Sequence, residues 1–596
     1  MEIENAKGIF DLGDDRITVE RTNPLLNDQG SLSLTYPIKR TPHNDYLLGF
    51  PHKYSRKTKY DIKTDVNIRA GLLNENATLQ MTSVDSDQVE ATFLLYESTF
   101  YARIKEIKLP QVFEGVERWF DSSSVPVATR VANIVGVVKS MILSKSNLTE
   151  DFTAFPVISS CEWESSTELF AKADKQNIIN ELYWNNEPWS SGNAKFLFRP
   201  ETGYTFTDSD GNNITVPVGF GCSIFLRYGY ILRRIFQYFG FSLEENLFDY
   251  GHKYRRVVCI NNTQDAIMRG YIVESQLVPD ITINDFLDFV RESFNADFFI
   301  DVPSKKVRLV FFDNVLSSEP DMDLSQYLIS PAKVDYADAR QVKLSVGTDL
   351  ENGSIPCDTL SELKNKYGNL YSIGSVRGNS NGVHHFDLYN QIWKETLLNP
   401  TTHKYQRTYL GSMNFMYYAG DDIDAEEHSS PANLPATIQY DFNVGCAQIG
   451  SFRRMNTSLV MNGSANSEEK VECPFILAVE TWDSKRMAVV TETDESGNTL
   501  HSPTDPYPDL ISLHTWGANG TFARFWQNYD QLLRKSWHTV TAQCRIPAKV
   551  LQSWDFTRLK LLDGQPMIAN KLTYELTDDS VIDVEIELKT AKIYED

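Results

Sequence analysis

The chain holds no C-x-x-C pair, no H-E-x-x-H, no P-loop and no dinucleotide-binding G-x-G-x-x-G. Those absences remove zinc knuckles, zincin-type hydrolases and the commonest nucleotide readings. Cysteine is sparse: seven, an odd number, at Cys161, Cys222, Cys259, Cys357, Cys446, Cys473 and Cys544. A disulfide framework does not fit that scatter, and folding in a reducing cytoplasm is the simpler reading. Basic residues are also scarce, 57 Lys and Arg against 80 Asp and Glu, for a net charge of -23. A protein that grips nucleic acid over its whole surface needs the opposite excess. This balance suits a soluble protein, or one lining a passage to which DNA must not stick. Long hydrophobic runs are missing. The longest, Val131 to Leu143, contains Lys139, falls short of the ~20 residues of a membrane span, and reads as an amphipathic helix. The start, MEIENAKGIFDLGDDR, has no basic segment before an apolar core, so no secretory signal is expected. No heptad run or short-period repeat occurs.

What is present is ample material for packed cores. Hydrophobic residues make up 41% and aromatics 12% of 596 residues, which suggests about four domains. The clearest pattern is at the end. In GTFARFWQNYDQLLRKSW, Phe522, Phe525, Trp526, Tyr529, Leu532 and Leu533 recur at helical spacing, with Thr521 as cap and Arg524, Gln527, Asp530 and Arg534 on a wet face. His538, Val540, Ala542, Cys544 and Ile546 then alternate as a strand closed by Pro547. Leu559 to Leu562, the turn Asp563-Gly564-Gln565-Pro566, the strand Met567 to Leu576, a turn at Thr577 to Ser580, and the alternation of Ile582, Val584, Ile586 and Leu588 complete a meander. It makes one wall of a small barrel or sandwich, with no catalytic set inside it.

Earlier segments repeat the theme. Tyr60, Ile62, Val66 and Ile68 alternate, Asn74 to Asn76 turn, Ala77, Leu79 and Met81 alternate, Asp85 to Asp87 turn, and Val89 to Leu95 alternate again. A short helix passes through Phe100, Ile104 and Ile107. Ile224 to Phe239 reads as a helix stopped by Gly240. Thr282 and Asp285 open another through Phe286, Leu287, Val290 and Phe294. Strands at Asp297 to Val302 and Val307 to Phe312 follow, and one near Gln341 to Val346 completes that unit. The stretches 117–220 and 347–513 are loop-rich and read as insertions. The expected division is 1–116, a β-barrel domain; 117–220, an insertion; 221–346, a second helix-plus-strand domain; 347–513, a second insertion; and 514–596, a helix and meander that complete the barrels with earlier strands.

Three phrases carry a resemblance: TYPIKRTPHNDYLLGFPHKYSRKTKYDIKTDVNIRAGLL (Thr35 to Leu73), LVPDITINDFLDFVRESFNADFFIDVPSKKVRLVFF (Leu277 to Phe312), and the C-terminal segment. Their order is similar to that of the tail hub proteins of long-tailed phages and prophages, in the divergent form found in Bacteroidetes. The resemblance spans roughly residues 30–112, 224–346 and 516–596 and is one of pattern. It implies a mainly β fold with short helices, built from tandem tube-protein-like barrel domains interrupted by insertions. It also implies a homotrimer at the virion tail tip, assembled in the host cytoplasm. Its partners would be the distal tail or tail tube protein, the tape-measure protein and the tip, spike or receptor-binding proteins, with DNA only in transit. The motifs are structural, so no site residue carries over with them.

Candidate chemistry is thin. Gly378-Asn379-Ser380-Asn381-Gly382 matches G-x-S-x-G, with His384, His385 and Asp387 behind it; its flanks read as surface loop where a nucleophile elbow needs a buried strand and a helix. His384 and His385 are adjacent, so on a strand they face opposite ways. Asp421, Asp422, Asp424, Glu426, Glu427 and His428 form an acidic run without the spaced ligands of a calcium loop, and read as a solvated loop. Asp208, Asp210 and Asn212 imitate an EF-hand start, but Asn213 and Gly219 stand where Gly and a carboxylate are needed, so a hairpin turn is expected. His52, Lys53, Arg56, Lys57, Lys59 and Lys63, interleaved with Tyr54 and Tyr60, form a basic cluster suited to an acidic neighbour subunit, a wet strand face or DNA in transit. No catalytic, cofactor-binding or metal-binding residue is assigned, and no cofactor is expected. The alternatives are a tail-associated cell-wall hydrolase, peptidase or glycosidase, and a glycan-binding adhesion protein using aromatics such as Trp163, Tyr183, Trp184 and Trp189.

Overall fold

Alternation of apolar and polar residues at both ends of the chain has one outcome: the two ends share a sheet. The computed structural model describes residues 1–12, 16–27, 32–53, 62–71, 73–95, 98–143, 148–159, 178–185, 195–207, 213–346, 383–387, 392–399, 404–412, 418–420, 423–434, 436–440, 444–449, 472–480, 513, 515 and 520–592. It is mainly β with short helices, its sheets curled into half-barrels. Among the described residues the largest sheet has 14 strands. Its path runs Gly8–Ile9, Glu2–Asn5, Lys63–Ala70, Leu73–Val84, Gln88–Leu95, Leu32–Ser33, Thr18–Thr22, Gln565–Glu575, Val581–Thr590, Thr539–Pro547, Lys333–Asp335. Tyr36–Lys39 branches onto Gln88–Leu95, while Lys560–Leu562 branches onto Gln565–Glu575 and carries Met322–Asp323.

Thr18–Thr22 joins the two ends, antiparallel to the C-terminal strand, with Thr18 opposite Glu575 and Thr22 opposite Lys571. Asn23 fastens the seam: its backbone N–H donates to the Asn570 carbonyl at 2.8 Å and its Nδ2 to Ala569 O at 2.9 Å. A second fastening is steric. The hairpin turn at Gly71, φ +56°, sits so close to the turn at Asp578 that a Cβ would meet the Asp578 carbonyl oxygen at 2.8 Å. Only glycine meets both demands. The C-terminal turn has φ 50° at Asp563 and 74° at Gly564, a type I′ geometry that matches strand twist. Ile3, Val19, Phe93, Cys544, Leu572 and Ile586 then share one core.

The second body is built on helices. Val127–Leu143, Tyr228–Tyr238 and Ile283–Phe294 bury their stripes against Phe100, Phe113, Phe475 and Leu477. Tyr228 stacks on Phe286 at 4.6 Å and donates its hydroxyl to the Phe286 carbonyl at 2.8 Å. The helix Ile283–Phe294 carries the expected capping box from Thr282 and Asp285, and ends at Asn295 in the left-handed region, φ 46°. The C-terminal stripe of Phe522, Trp526, Tyr529, Leu532 and Leu533 packs on Phe312, Val315, Val342 and Leu344, with Leu559 and Ile568 reaching it from the main sheet.

Several local expectations are corrected. Asn74 to Asn76 do not turn; they pair with Asn67 to Arg69 inside a strand, because Gly71 takes the turn. Phe225–Arg227 is a strand and the helix begins only at Tyr228, since all three residues are buried between Phe152–Thr153 and Val257–Ile260. Gln341–Val346 does not complete the hairpin Ala296–Asp301 and Lys306–Phe311. Ser242–Leu243 does so, and Gln341–Val346 pairs in parallel with Ala425–Ser430. Thr521 makes no cap hydrogen bond, because Phe522–Trp526 forms a π-helical turn before the α-helix Gln527–Lys535. Asp530 is not on a wet face; it is buried, accepting the Val342 N–H at 2.8 Å and paired with Arg534 at 2.7 Å.

Candidate functional site

The acidic run holds the largest departure from expectation. Asp421 and Asp422 lie outside the described residues, but Ala425–Ser430 is a strand, not a solvated loop. Its parallel pairing with Gln341–Val346 turns Glu426 and His428 toward the helices. There His428 Nδ1 bonds Glu292 at 3.0 Å and Nε2 bonds Glu426 at 3.3 Å, with the Trp526 ring 4.2 Å away. Tyr529 donates to Glu426 at 3.0 Å, and Arg340 pairs with it at 3.5 Å. Burial pulls the imidazole pKa down, but hydrogen bonds and charge from Glu292 and Glu426 outweigh it and raise it to about 9. Glu426 is also penalised by burial, yet the His428, Tyr529 and Arg340 contacts hold it below its usual value. The group is a charged clasp joining a helix, a strand and the π-turn.

A second clasp is fully buried. Arg227 Nη2 lies 2.8 Å from Glu480 Oε2, close in distance though not directed as a hydrogen bond, and both side chains are 0% exposed. Glu480 Oε1 accepts from Thr153 at 2.6 Å, and Arg227 Nε donates to Glu150 O at 2.8 Å. A third lies under the main sheet: Lys560 Nζ bonds both oxygens of Asp321 at 2.6 and 2.8 Å and sits over the Trp554 ring at 4.7 Å. Burial lowers its pKa despite Asp321. Each clasp pairs its charges within the molecule and joins segments distant in sequence, so what the three do is hold the fold.

The residues nominated by the sequence are described only in part. Gly378 to Gly382 lie outside the described residues, and His384, His385 and Asp387 are on the strand Val383–Asp387. Asp208, Asp210 and Asn212 lie outside them too, but the strands Tyr204–Thr207 and Asn213–Val216 that flank them pair as a hairpin. At Gly219, φ +89°, a Cβ would lie 2.5 Å from Val131 Cγ1, so packing demands glycine there. Of the basic cluster, Lys53 lies 4.5 Å over the Phe50 ring and Lys63 pairs with Glu106 at 4.0 Å, while Tyr54, Arg56, Lys57, Lys59 and Tyr60 fall outside the described residues. Trp163 and Trp189 are likewise outside, and Tyr183 and Trp184 belong to the strand Leu182–Asn185. Among the described residues no His, Cys, Asp and Glu cluster suits a metal, and no helix is long and apolar enough to cross a membrane.

What remains open is geometric. The long path of the main sheet ends on two short strands, Gly8–Ile9 and Lys333–Asp335, and all three residues of the latter are exposed. Where the main sheet meets the helical body, a cavity of about 570 Å³ is lined by Phe299, Arg308, Trp554 and Phe556, and one of about 610 Å³ by Asn5, Thr78, Phe100 and Phe239.

No family model matches this chain, and no curated protein matches it. Among solved structures it is similar to the 43 kDa tail protein of prophage MuSo2 from Shewanella oneidensis. That match has 7% identity over 99% of this chain and 98% of that one, with a TM-score of 0.28. So low a likeness transfers no function, and the functional reading rests on this chain's own residues.

Proposed function

We propose that this chain is a structural phage or prophage tail protein: a tail hub, trimeric at the tail tip, that joins the tail tube or distal tail protein to the tip or spike and gates DNA passage. The observation that carries the reading is the main sheet. Residues from both ends of the chain build one curled sheet whose long path, among the described residues, ends on Gly8–Ile9 and Lys333–Asp335. Unpaired edges are a liability, and pairing them between identical subunits around a closed ring removes it. The resemblance of the three sequence blocks to tail hubs supports the same reading. So does a net charge of -23, which keeps DNA from adhering during transit. The role is mechanical; the charged groups of the described residues act as clasps between segments.

The decisive experiment is imaging of tail tips in particles carrying an epitope-labelled chain. Label on the particle axis with threefold symmetry is the expected result. Label absent from the axis overturns the reading. A gene position directly after a tape-measure gene is the cheaper check.

A further inference from the structure

The main sheet ends at Lys333–Asp335 on a segment that the rest of the molecule hardly covers. From Ile329 to Arg340 every residue but Ala332 is exposed, with Ile329 at 49%, Val334 at 42% and Tyr336 at 82%. One edge of the segment is held. The Ile329 N–H donates to Gln543 O at 2.9 Å, Lys333 to Asp335 lie opposite Thr541 to Thr539, and the Ala337 N–H donates to His538 Nδ1 at 3.3 Å. The other edge pairs with no strand among the described residues. An open edge carrying exposed apolar side chains is a template for a further strand.

The order of the side chains selects that strand. Lys333 and Asp335, two apart, share one face of the edge; they pair with each other at 2.8 Å, and their side chains are 72% and 52% exposed. When two such edges run antiparallel about Val334, Lys333 of each copy stands directly opposite Asp335 of the other. Val334 then meets Val334, and Tyr336 meets Ala332. The triplet is its own complement. The acidic excess of the whole chain opposes the approach of any two copies, but the edge itself is neutral: between residues 329 and 340, Lys333 and Arg340 balance Asp335 and Asp338. Charges beyond about 8 Å are screened at physiological salt, so the contact is decided by these side chains.

We propose that two copies of the free chain pair antiparallel across Lys333–Asp335, about a two-fold axis at Val334. This goes beyond the ring reading. A cyclic trimer contains no two-fold axis, so the pair is a form of the chain outside the ring, in which the edge stays covered until assembly supplies another neighbour. The contact is short by construction. The four steps from Ile329 to Lys333 face only the two from Gln543 to Thr541, and Pro331 stands in that bulge, so pairing stops at Ala332. Each copy spends its edge on the other, which leaves none for a third.

The test is sedimentation of the full chain over a concentration series, with charge reversals at the two exposed positions. Lys333→Asp alone and Asp335→Lys alone each place two like-charge contacts in the pair, and each is expected to weaken dimerisation roughly tenfold or more without lowering the melting temperature. An equal mixture of the two single variants regains dimers, because every Asp again faces a Lys. The double variant regains them for the same reason, which also covers the case in which a single variant misfolds. Register is read by oxidation: Val334→Cys, which meets itself on the axis, gives a disulfide-linked dimer, while the more exposed Tyr336→Cys, which meets Ala332, does not. A wild-type chain that is monomeric at every concentration overturns the proposal, as does one that forms trimers in place of dimers. Dimers indifferent to both reversals, or equal linking through Val334→Cys and Tyr336→Cys, overturn it too. None of these results touches the ring reading, which tail-tip imaging decides separately.

Discussion

The main sheet and the helical body place their charges differently. On the sheet, the ion pairs Arg545–Asp583 and Arg16–Glu575 are more than half exposed on both sides, and Lys560–Asp321 is the buried exception. In the helical body they lie inside: Arg227–Glu480 is fully buried, and His428 sits between Glu292 and Glu426. The sheet is held by apolar area and by register between chain ends, with the single clasp of Lys560 beneath it. The helical body is held, in addition, by polar clasps whose removal leaves an uncompensated charge. Stability is therefore distributed in the sheet and concentrated at a few residues in the body.

That comparison can be broken in order of expected effect. The largest change is removal of residues 516–596. Amides of Gln88–Leu95 should lose protection in hydrogen exchange, and the fragment 516–596 alone should show no cooperative melt; a fragment that folds alone refutes the shared sheet. Next, Arg227→Met should cost about 3–5 kcal/mol in denaturant unfolding, because Glu480 is left buried and unpaired. In the sheet core, Leu572→Ala should cost roughly 2–5 kcal/mol, and less where neighbours collapse into the gap. The His428 clasp gives a pH signature. Its folded pKa of about 9 lies above the ordinary 6.5, so its stabilisation is complete below the unfolded value and fades as pH rises through about 9. The full effect is on the order of 3 kcal/mol. His428→Gln should flatten that alkaline loss. Smallest, Gly564→Ala at φ 74° should cost about 1 kcal/mol, and Arg545→Ala on the sheet surface should leave the melting temperature unmoved.

Legibility in the sequence divides along the same line. Period-two alternation at Val89 to Leu95 and Val540 to Ile546 marks strands, because a half-buried sheet writes its burial into every second residue. The capping box at Thr282 is equally local. Buried Asp530 and Glu480 and half-buried Glu426 are not legible as such, since they depend on partners 188, 327 and 103 residues away in sequence. For Glu480 a weak signal exists: it closes the fully buried strand Ile476–Val479, an apolar run that ends on a carboxylate. The partner of Gln341–Val346 is illegible for the same reason, as parallel pairing leaves no hairpin turn to read.

The seam at Thr18–Thr22 also sets a timetable. Its partner, Lys571–Glu575, is made roughly 550 residues later. At a synthesis rate of ~5–20 residues per second, the N-terminal strands wait on the order of half a minute to two minutes before that neighbour emerges. Throughout that interval Val19 and its neighbours present an open edge in a crowded cell. The chain's yield should therefore depend on what shields that edge during translation, and slowing the ribosome between the two strands should raise aggregation more than slowing it before Thr18.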